Sequence, residues 1–186
     1  MEEWHKKPVR MMRWDYIQNI KAMKKTDLDK LASMKKEEWH INCEWIVGTP
    51  GVAPGAGHLT TFKAEGFERY PGLEDFDCLR EYLPYARKHG IKLLAYLNAH
   101  WYSYDFADKH PGWEQIMSSG KAYGRLYPLY GNGTTLCVNS PYRDWVFRLV
   151  EETIKTGVDG IFFDGPVFYG GCCYCESCRE KFRKKF

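Results

Sequence analysis

Short apolar runs alternate with helix-forming segments along most of this sequence, and that alternation constrains the fold more than any other feature. Strands are predicted where apolar runs are too short for helices, at residues 10–16, 40–47, 91–97 and 160–163. Helices are predicted where apolar side chains recur every three or four residues, at residues 26–35, 75–90 and 140–157, with another beginning near residue 175. Such alternation predicts a parallel sheet with right-handed crossovers.

The length of the chain limits how much of such a fold it can hold. A complete (β/α)8 barrel needs about 250 residues, whereas this chain has 186. We therefore predict an α/β fold of the TIM-barrel type, restricted to its N-terminal half of about four βα units, in a single domain over residues 1–186. Because an open half-barrel exposes two strand edges, pairing of two copies as a homodimer is also expected.

Composition and charge exclude several classes of protein. No run of about 18 apolar residues is present, so no membrane span is predicted. The N-terminal residues lack the apolar core of a signal peptide, which favours a cytoplasmic protein. The net charge is only +3, and the basic cluster at residues 179–185 is typical of a solvated helix face, so no nucleic-acid partner is expected. Seven cysteines without a signal peptide indicate thiols or metal ligands in a reducing compartment.

Asp164 directly follows the apolar run at residues 161–163 and precedes Gly165 and Pro166, which interrupt regular structure. Folds of the α/β class place their chemistry at the carboxyl ends of parallel strands, so Asp164 is a candidate catalytic residue. The alternative is a carboxylate that caps the following loop by accepting backbone N–H bonds. Asp159, before the same run, is typical of a turn residue.

A group of polar and aromatic side chains follows the third predicted strand. The group combines hydrogen-bonding atoms with flat rings, which suits sugar hydroxyls and sugar faces, and it consists of Asn98, His100, Trp101 and Tyr102. The alternative is a polar loop around a buried tryptophan, and both interpretations stay open. His58, in the glycine-rich loop after the second strand, is a further candidate for substrate binding.

Three cysteines near residue 175 follow the spacing C-x-C-x-x-C, at Cys173, Cys175 and Cys178. Three thiolates in this pattern, with one more brought by the fold, are typical of a tetrahedral zinc site. Cys172 is one candidate for the fourth ligand, although adjacent residues rarely point at one ion. The alternatives are a redox-active C-x-x-C pair at residues 175–178 or plain buried thiols.

Four motifs, taken in order, resemble a known group of proteins. They are H-P-G-W at residues 110–113, L-C-V-N-S-P-Y-R-D at 136–144, V-D-G-I-F-F-D at 158–164 and C-Y-C-E-S-C at 173–178. The sequence is similar to the hypothetical glycosyl hydrolases, uncharacterised barrel relatives of the retaining glycosidases. The resemblance implies action on a carbohydrate substrate, with Asp164 at the position of an acidic residue near the sugar. It also implies an acid/base partner on a later strand, beyond the four predicted units.

The cysteine pattern also resembles that of the family 42 β-galactosidases, in which a C-x-N-S-P-type segment joins a C-x-C-x-x-C segment around a structural zinc. This resemblance implies that Cys137 is the fourth ligand beside Cys173, Cys175 and Cys178. Those enzymes carry Asn-Glu at the end of the fourth strand, where this sequence has Asp164 and Gly165. The resemblance therefore covers the zinc site and not the catalytic residue.

Together these observations predict a glycoside-hydrolase-like protein with Asp164 as nucleophile and a general acid that these four units do not contain. The alternative hypothesis is a non-catalytic, zinc-stabilised half-barrel that binds sugar or acts as a scaffold. A third hypothesis is a thiol protein that uses its C-x-x-C pair. Metal analysis and hydrolysis of aryl glycosides distinguish these three possibilities.

Overall fold

The structure, a computed structural model, describes residues 4–14, 16–51, 57–99, 101–128 and 131–186. The strands within these residues are Met11–Trp14 (β1), Cys43–Thr49 (β2), Lys92–Asn98 (β3), Tyr102–Ser103 (β4), Gly133–Thr134 (β5) and Gly160–Asp164 (β6). The helices are Ile17–Met23 (α1), Leu28–Glu37 (α2), Cys78–Lys88 (α3), Tyr104–Asp108 (α4), Tyr123–Leu126 (α5), Tyr142–Ile154 (α6) and Glu176–Lys185 (α7). In this described part of the chain, every helix is too short or too polar to cross a membrane.

Four of the described strands form one parallel sheet in the order β1–β2–β3–β6. Strands β4 and β5 make a separate antiparallel pair within the long connection between β3 and β6. Strands β2 and β3 are buried along almost their whole length, as central strands of a parallel sheet are. The predicted α/β fold with a parallel sheet is confirmed.

The two faces of the sheet carry different side chains because neighbouring residues of a strand point in opposite directions. One face, here called the open face, carries an aromatic stack formed by Trp45, Tyr96 and Phe162. The Trp45 ring lies 4.8 Å from Tyr96 and 5.0 Å from Phe162, with interplanar angles of 14° and 6°. The opposite face packs against helices, and there Phe163 lines a cavity of about 420 Å³ with side chains of α6. Phe162 and Phe163 thus lie on the faces that alternation predicts.

Helix α3 begins at Cys78, three residues later than the sequence predicts. The Asp77 carboxylate accepts a hydrogen bond from the backbone N–H of Arg80 at 3.0 Å, which makes Asp77 the N-cap. Asp75 lies outside the helix and pairs with Lys24 instead. The apolar side chains that recur at helical spacing in this segment are all buried, namely Leu79, Tyr82, Leu83 and Ala86.

For helix α6, apolar spacing predicts a buried face formed by Val146, Leu149, Val150, Thr153 and Ile154, and Ile154 departs from it. Leu149 and Thr153 are buried, but Ile154 is 62% exposed. Phe147, seven residues earlier on the same side of the helix, is 56% exposed. Apolar spacing identifies an apolar side of a helix, but it carries no information on whether a neighbouring element covers that side.

A buried ion pair joins β2 to α2 on the helix-covered face. Lys35 pairs with Glu44, and both side chains are 0% exposed. The Lys35 ammonium also lies 4.1 Å from the ring centroid of Trp14 and 3.3 Å from the hydroxyl of Tyr82. Burial lowers the pKa of Lys35, and the neighbouring Glu44 carboxylate opposes that shift. One ammonium group therefore links β1, β2, α2 and α3.

Removing one member of this pair would leave a buried charge without its partner. We expect Lys35→Met to lower the free energy of unfolding by about 3–5 kcal/mol, and the double variant with Glu44→Leu to recover most of that loss. Urea unfolding measures the free energy of unfolding of the single and the double variant. Lys88→Met is the matched control, because Lys88 pairs with Asp29 at the surface and such pairs contribute about 1 kcal/mol or less. A loss for Lys35→Met as small as that of the control would contradict this expectation.

Within the described residues, the outer edges of β1 and β6 have no neighbouring strand. Met11 and Phe162, on these two strands, are 47% and 39% exposed. Unpaired backbone groups beside exposed apolar side chains favour association.

We therefore expect the isolated chain to form dimers or larger species at micromolar concentration, as measured by light scattering. Phe162→Lys should weaken this association, since charge on the open face opposes its burial. Tyr85→Lys, on α3, where Tyr85 is 37% exposed, should leave association unchanged. A monomer at micromolar concentration in the parent chain would contradict the prediction.

Candidate active site and metal centre

Two neighbouring strands end together and bring the candidate catalytic residue to one edge of the sheet. The register of β3 and β6 sets Asn98 opposite Asp164 and Tyr96 opposite Phe162. The Tyr96 hydroxyl reaches along the open face and donates a hydrogen bond to Oδ2 of Asp164. The backbone carbonyl of Asp164 accepts a hydrogen bond from the N–H of Ala99 at 3.0 Å. Asp164 thus lies at the carboxyl end of the sheet, with its backbone and side chain both fixed.

Asn98 holds the loop after β3 in place. Its side chain is 2% exposed; Nδ2 donates to the backbone carbonyl of Trp101, and Oδ1 accepts from the Trp101 N–H at 3.2 Å. Its backbone N–H donates to Thr49 Oγ1 at 2.8 Å, which ties the end of β3 to the end of β2. Asn98 is therefore a support of the site rim.

Trp101 and Tyr102 are both 0% exposed, so neither ring presents a face to solvent. The Tyr102 hydroxyl donates to the carbonyl of Asn98 at 2.9 Å and lies 2.6 Å from the hydroxyl of Tyr142. Burial raises the pKa of Tyr102 well above its ordinary value. Of the two interpretations given by the sequence, the structure favours the buried one, because these rings pack behind the strand ends. His100 lies outside the described residues.

His58 packs against a different part of the molecule. Its ring stacks on Phe106 at 4.5 Å, and Nε2 lies 3.8 Å from the Glu68 carboxylate. Burial lowers the pKa of His58, so the neutral ring is favoured. His58, Glu68 and His110 line a small cavity of about 170 Å³. Among the described residues, none of the contacts of His58 involves Asp164 or Tyr96.

Tyr96 was not predicted as a site residue. A signal for it exists in the sequence: Tyr96 precedes Asn98 by two residues, so alternation places both on the same face of β3. Its role depends on the hydrogen bond to Asp164, which follows only from the pairing of β3 with β6. Sequence spacing alone does not give that pairing.

The second candidate site is a group of four thiols from two segments of the chain. The sulfur atoms of Cys137, Cys173, Cys175 and Cys178 all lie within 4.8 Å of one another. Each is a free cysteine, and Cys172 is not part of the group. The structure therefore brings the four predicted ligands together, including Cys137, which is far from the others in sequence.

The thiols of this group influence one another's protonation. A hydrogen bond with Cys137 lowers the pKa of Cys173 to about 5. The same hydrogen bond, together with burial, raises the pKa of Cys137. Burial raises the pKa of Cys175 to about 11. The shared hydrogen bond thus favours a thiolate at Cys173 beside a protonated thiol at Cys137.

The geometry fits a tetrahedral metal ion. A zinc ion with Zn–S bonds of about 2.3 Å sets its sulfur ligands about 3.8 Å apart. Cys137 and Cys178 have their sulfur atoms 3.5 Å apart, and the whole group fits within 4.8 Å. Backbone and side-chain donors surround the sulfurs: the N–H of Asn139 lies 3.4 Å from Cys137 Sγ, and its Nδ2 lies 3.3 Å from Cys178 Sγ. Such outer hydrogen bonds orient ligands in metal centres.

The thiol group and Gln115 together hold the loop that follows Asp164. The Gln115 side chain is 2% exposed; Nε2 donates to the carbonyl of Val167 at 2.8 Å, and Oε1 accepts from the N–H of Tyr169 at 3.1 Å. Further along, the N–H of Tyr174 donates to the carbonyl of Ile116 at 2.7 Å. The segment between Asp164 and the cysteines is therefore fastened to the long connection after β3. Sequence reasoning missed Gln115, since an isolated polar residue in an unpatterned loop gives no signal.

Comparison with known proteins gives the family and the fold of this chain. A family model described as Hypothetical glycosyl hydrolase 6 matches residues 34–165, more than half of the chain, including Asp164. Among solved structures, the α-L-fucosidase isoenzyme 2 from Paenibacillus thiaminolyticus is similar over 95% of this chain, with a TM-score of 0.69 and 21% identity. The α-galactosidase from Lactobacillus brevis is similar over 89%, with a TM-score of 0.56 and 14% identity. No curated protein matches the sequence.

The two enzymes are much longer than this chain. The chain spans 26% of the length of the α-L-fucosidase and 22% of the α-galactosidase. A hypothetical protein from Ruminiclostridium thermocellum is similar over 90% of this chain and 82% of its own length, with a TM-score of 0.57 and 11% identity. At these identities the likeness shows the fold, which is a partial (β/α)8 barrel as the sequence predicts.

Proposed function

Because this chain belongs to the hypothetical glycosyl hydrolase 6 family, we propose that it acts on a carbohydrate and that Asp164 is the nucleophile in hydrolysis of a glycosidic bond. The observation that carries the proposal is the position of Asp164: its carboxylate lies at the carboxyl end of β6 and accepts a hydrogen bond from the neighbouring strand. In barrels of this type, that edge of the sheet is where substrates bind.

A retaining reaction divides the chemistry between two carboxyl groups about 5–5.5 Å apart. Asp164 would attack the anomeric carbon of the sugar and form a covalent glycosyl intermediate. A second carboxyl group would protonate the leaving oxygen and later activate water, and we assign it to a strand beyond these four units. Attack by Asp164 does not itself require that acid when the leaving group is already a weak base.

The other candidate residues receive two kinds of role. Asn98, Trp101 and Tyr102 support the rim from behind, since all three are buried and bonded to one another. His100, which lies between Asn98 and Trp101 in the sequence, stays a candidate for contact with sugar hydroxyls. His58 is assigned to the outer cavity beside Phe106, where it would contact a ligand only if the ligand extends past the loop after β2.

We also propose that the four thiols bind one zinc ion with a structural role. Thiolate ligands select soft or borderline metals, and a closed set of four sulfurs leaves no position open for water or substrate. The redox alternative is disfavoured by this arrangement, because Cys175 and Cys178 share their surroundings with two further thiols rather than forming an isolated pair. When bound, zinc would supply folding free energy to the segment after β6.

A second candidate function is sugar binding without catalysis, by a zinc-stabilised half-barrel. The observation that favours it is the exposed open face at β6, where Phe162 is 39% exposed beside Asp164. An aromatic ring beside a carboxylate suits a sugar ring and its hydroxyls. This function and hydrolysis differ in one respect: only hydrolysis requires a covalent bond to Asp164.

Covalent labelling tests the nucleophile and does not require a general acid. We expect 2,4-dinitrophenyl 2-deoxy-2-fluoro glycosides, screened over several sugars, to add one glycosyl group at Asp164, as detected by peptide mass spectrometry. Asp164→Asn should abolish labelling, because an amide cannot replace a carboxylate nucleophile, while changing the free energy of unfolding by less than about 1 kcal/mol.

Asp159→Asn is the matched control for this experiment. Asp159 lies before the other end of β6, where it pairs with Lys92 at 3.1 Å and accepts a hydrogen bond from the N–H of Leu93 at 3.1 Å. We expect this variant to lose stability and keep its labelling. Sugar binding without any label on Asp164 would favour the non-catalytic function, and a strongly destabilised, still labelled Asp164→Asn variant would end the assignment.

Metal analysis tests the zinc proposal. Protein purified without chelator should contain about one zinc ion per chain, and chelation should lower its melting temperature because metal binding contributes folding free energy. Cys178→Ser should lose the metal, whereas Cys172→Ser, whose thiol lies outside the group, should retain it. Metal-free native protein in which all four thiols react freely with an alkylating reagent would contradict the proposal.

A further inference from the structure

We infer that Tyr96 is the positioning residue for Asp164, and that Gly51 provides the space its hydroxyl needs. The inference rests on the proposed function in one respect: the orientation of the Asp164 carboxylate has a role because that carboxylate is the proposed nucleophile. The contact itself stands on geometry alone.

The Tyr96 ring is held from two sides. It is 4% exposed and stacks on Trp45 at 4.8 Å with an interplanar angle of 14°. Phe162, its partner in the register of β3 and β6, has its ring 6.0 Å away. A ring fixed in this way presents its hydroxyl in one direction, which is along the open face toward the end of β6. The hydroxyl meets Oδ2 of Asp164 there.

Gly51 lies directly over that hydroxyl. A Cβ atom at this position would approach the Tyr96 oxygen to less than 3.0 Å, a separation that real Cβ atoms do not show. The next atoms it would meet are Cζ and Cε1 of the same ring, at 3.2 and 3.5 Å. Glycine at position 51 therefore allows the chain after β2 to pass over the hydroxyl without displacing it.

Three strand ends thus determine the orientation of one carboxylate. β6 supplies Asp164, β3 supplies the hydrogen-bond donor, and the residue after β2 sets the room available to that donor. A nucleophile must face the anomeric carbon within a narrow range of distance and angle. A donor on a locked ring favours one orientation of the Asp164 side chain before any substrate binds.

The first experiment observes the Asp164 carboxylate directly. In protein labelled with ¹³C at the aspartate side-chain carboxyl, the Asp164 resonance is assigned by its loss in Asp164→Asn. Tyr96→Phe keeps the ring and removes the hydroxyl, so it should shift this resonance. Tyr82→Phe is the matched control: Tyr82 is also a buried tyrosine, but its hydroxyl contacts Lys35 on the other face of the sheet. An Asp164 resonance that is unmoved in Tyr96→Phe would overturn the inference.

The second experiment tests Gly51, and its resonance measurement does not require the Tyr96→Phe variant to fold. Gly51→Ala should lower the melting temperature and shift the Asp164 resonance, since its methyl group would push the hydroxyl away. In the Tyr96→Phe background the same substitution should lower the melting temperature clearly less, because the oxygen that its methyl group meets is gone. Gly57→Ala is the control: its Cβ would meet the Trp101 carbonyl oxygen and Asn98 Nδ2, so its cost should be equal in both backgrounds.

The results separate this inference from the proposed function. Two results would refute the positioning role whatever the labelling experiment shows. One is that Gly51→Ala lowers the melting temperature equally with and without the Tyr96 hydroxyl. The other is that the Asp164 resonance does not move in Gly51→Ala. In a different outcome, the Asp164 resonance shifts as expected and Gly51→Ala loses less melting temperature in the Tyr96→Phe background, while glycosides do not label the chain. That combination would support the positioning contact and reject Asp164 as nucleophile.

Discussion

The parallel pairing of β3 with β6 is the interaction on which the rest of the site depends. These strands are separated in sequence by the long connection that contains β4, α4, α5, β5 and α6, yet their register sets Asn98 opposite Asp164. Two features of the candidate active site follow from that alignment: the Tyr96 hydroxyl reaches Asp164, and the loop that Asn98 supports lies beside the end of β6. The parallel pairing thus brings two segments that are distant in sequence to the same edge of the sheet, where their side chains form the candidate site.

Aromatic rings pack within the long connection between these strands, and polar contacts fasten it to the segment after Asp164. Gln115 binds the backbone at Val167 and Tyr169, and Cys137 meets the three cysteines that follow. The segment after Asp164 is held at both of these places. The group of four thiols and the candidate active site therefore lie at the two ends of one loop.

Sequence reasoning predicted the features that local patterns determine. Alternating apolar runs predicted the parallel sheet, the strand-end position singled out Asp164, and cysteine spacing with a family resemblance predicted the four thiols that the structure brings together. It did not predict which aromatic rings would be buried. Trp101 and Tyr102 look like ligand-binding residues in sequence because composition does not distinguish a ring inside a loop from a ring on its surface. Tyr96 and Gln115 were missed because their roles depend on partners that are distant in the chain.

The buried pair of Lys35 and Glu44 has a consequence for strand alignment. Side chains alternate along β2, so a slip of one residue would exchange the positions of Glu44 and Trp45. Glu44 would then lie among aromatic rings of the open face, far from the ammonium group that α2 provides, and Trp45 would occupy the site of the ion pair. An apolar residue at position 44 would tolerate that slip far better than a carboxylate. The charge in the core thus discriminates against misregistered sheets, and this selectivity protects the alignment of the strand ends above it.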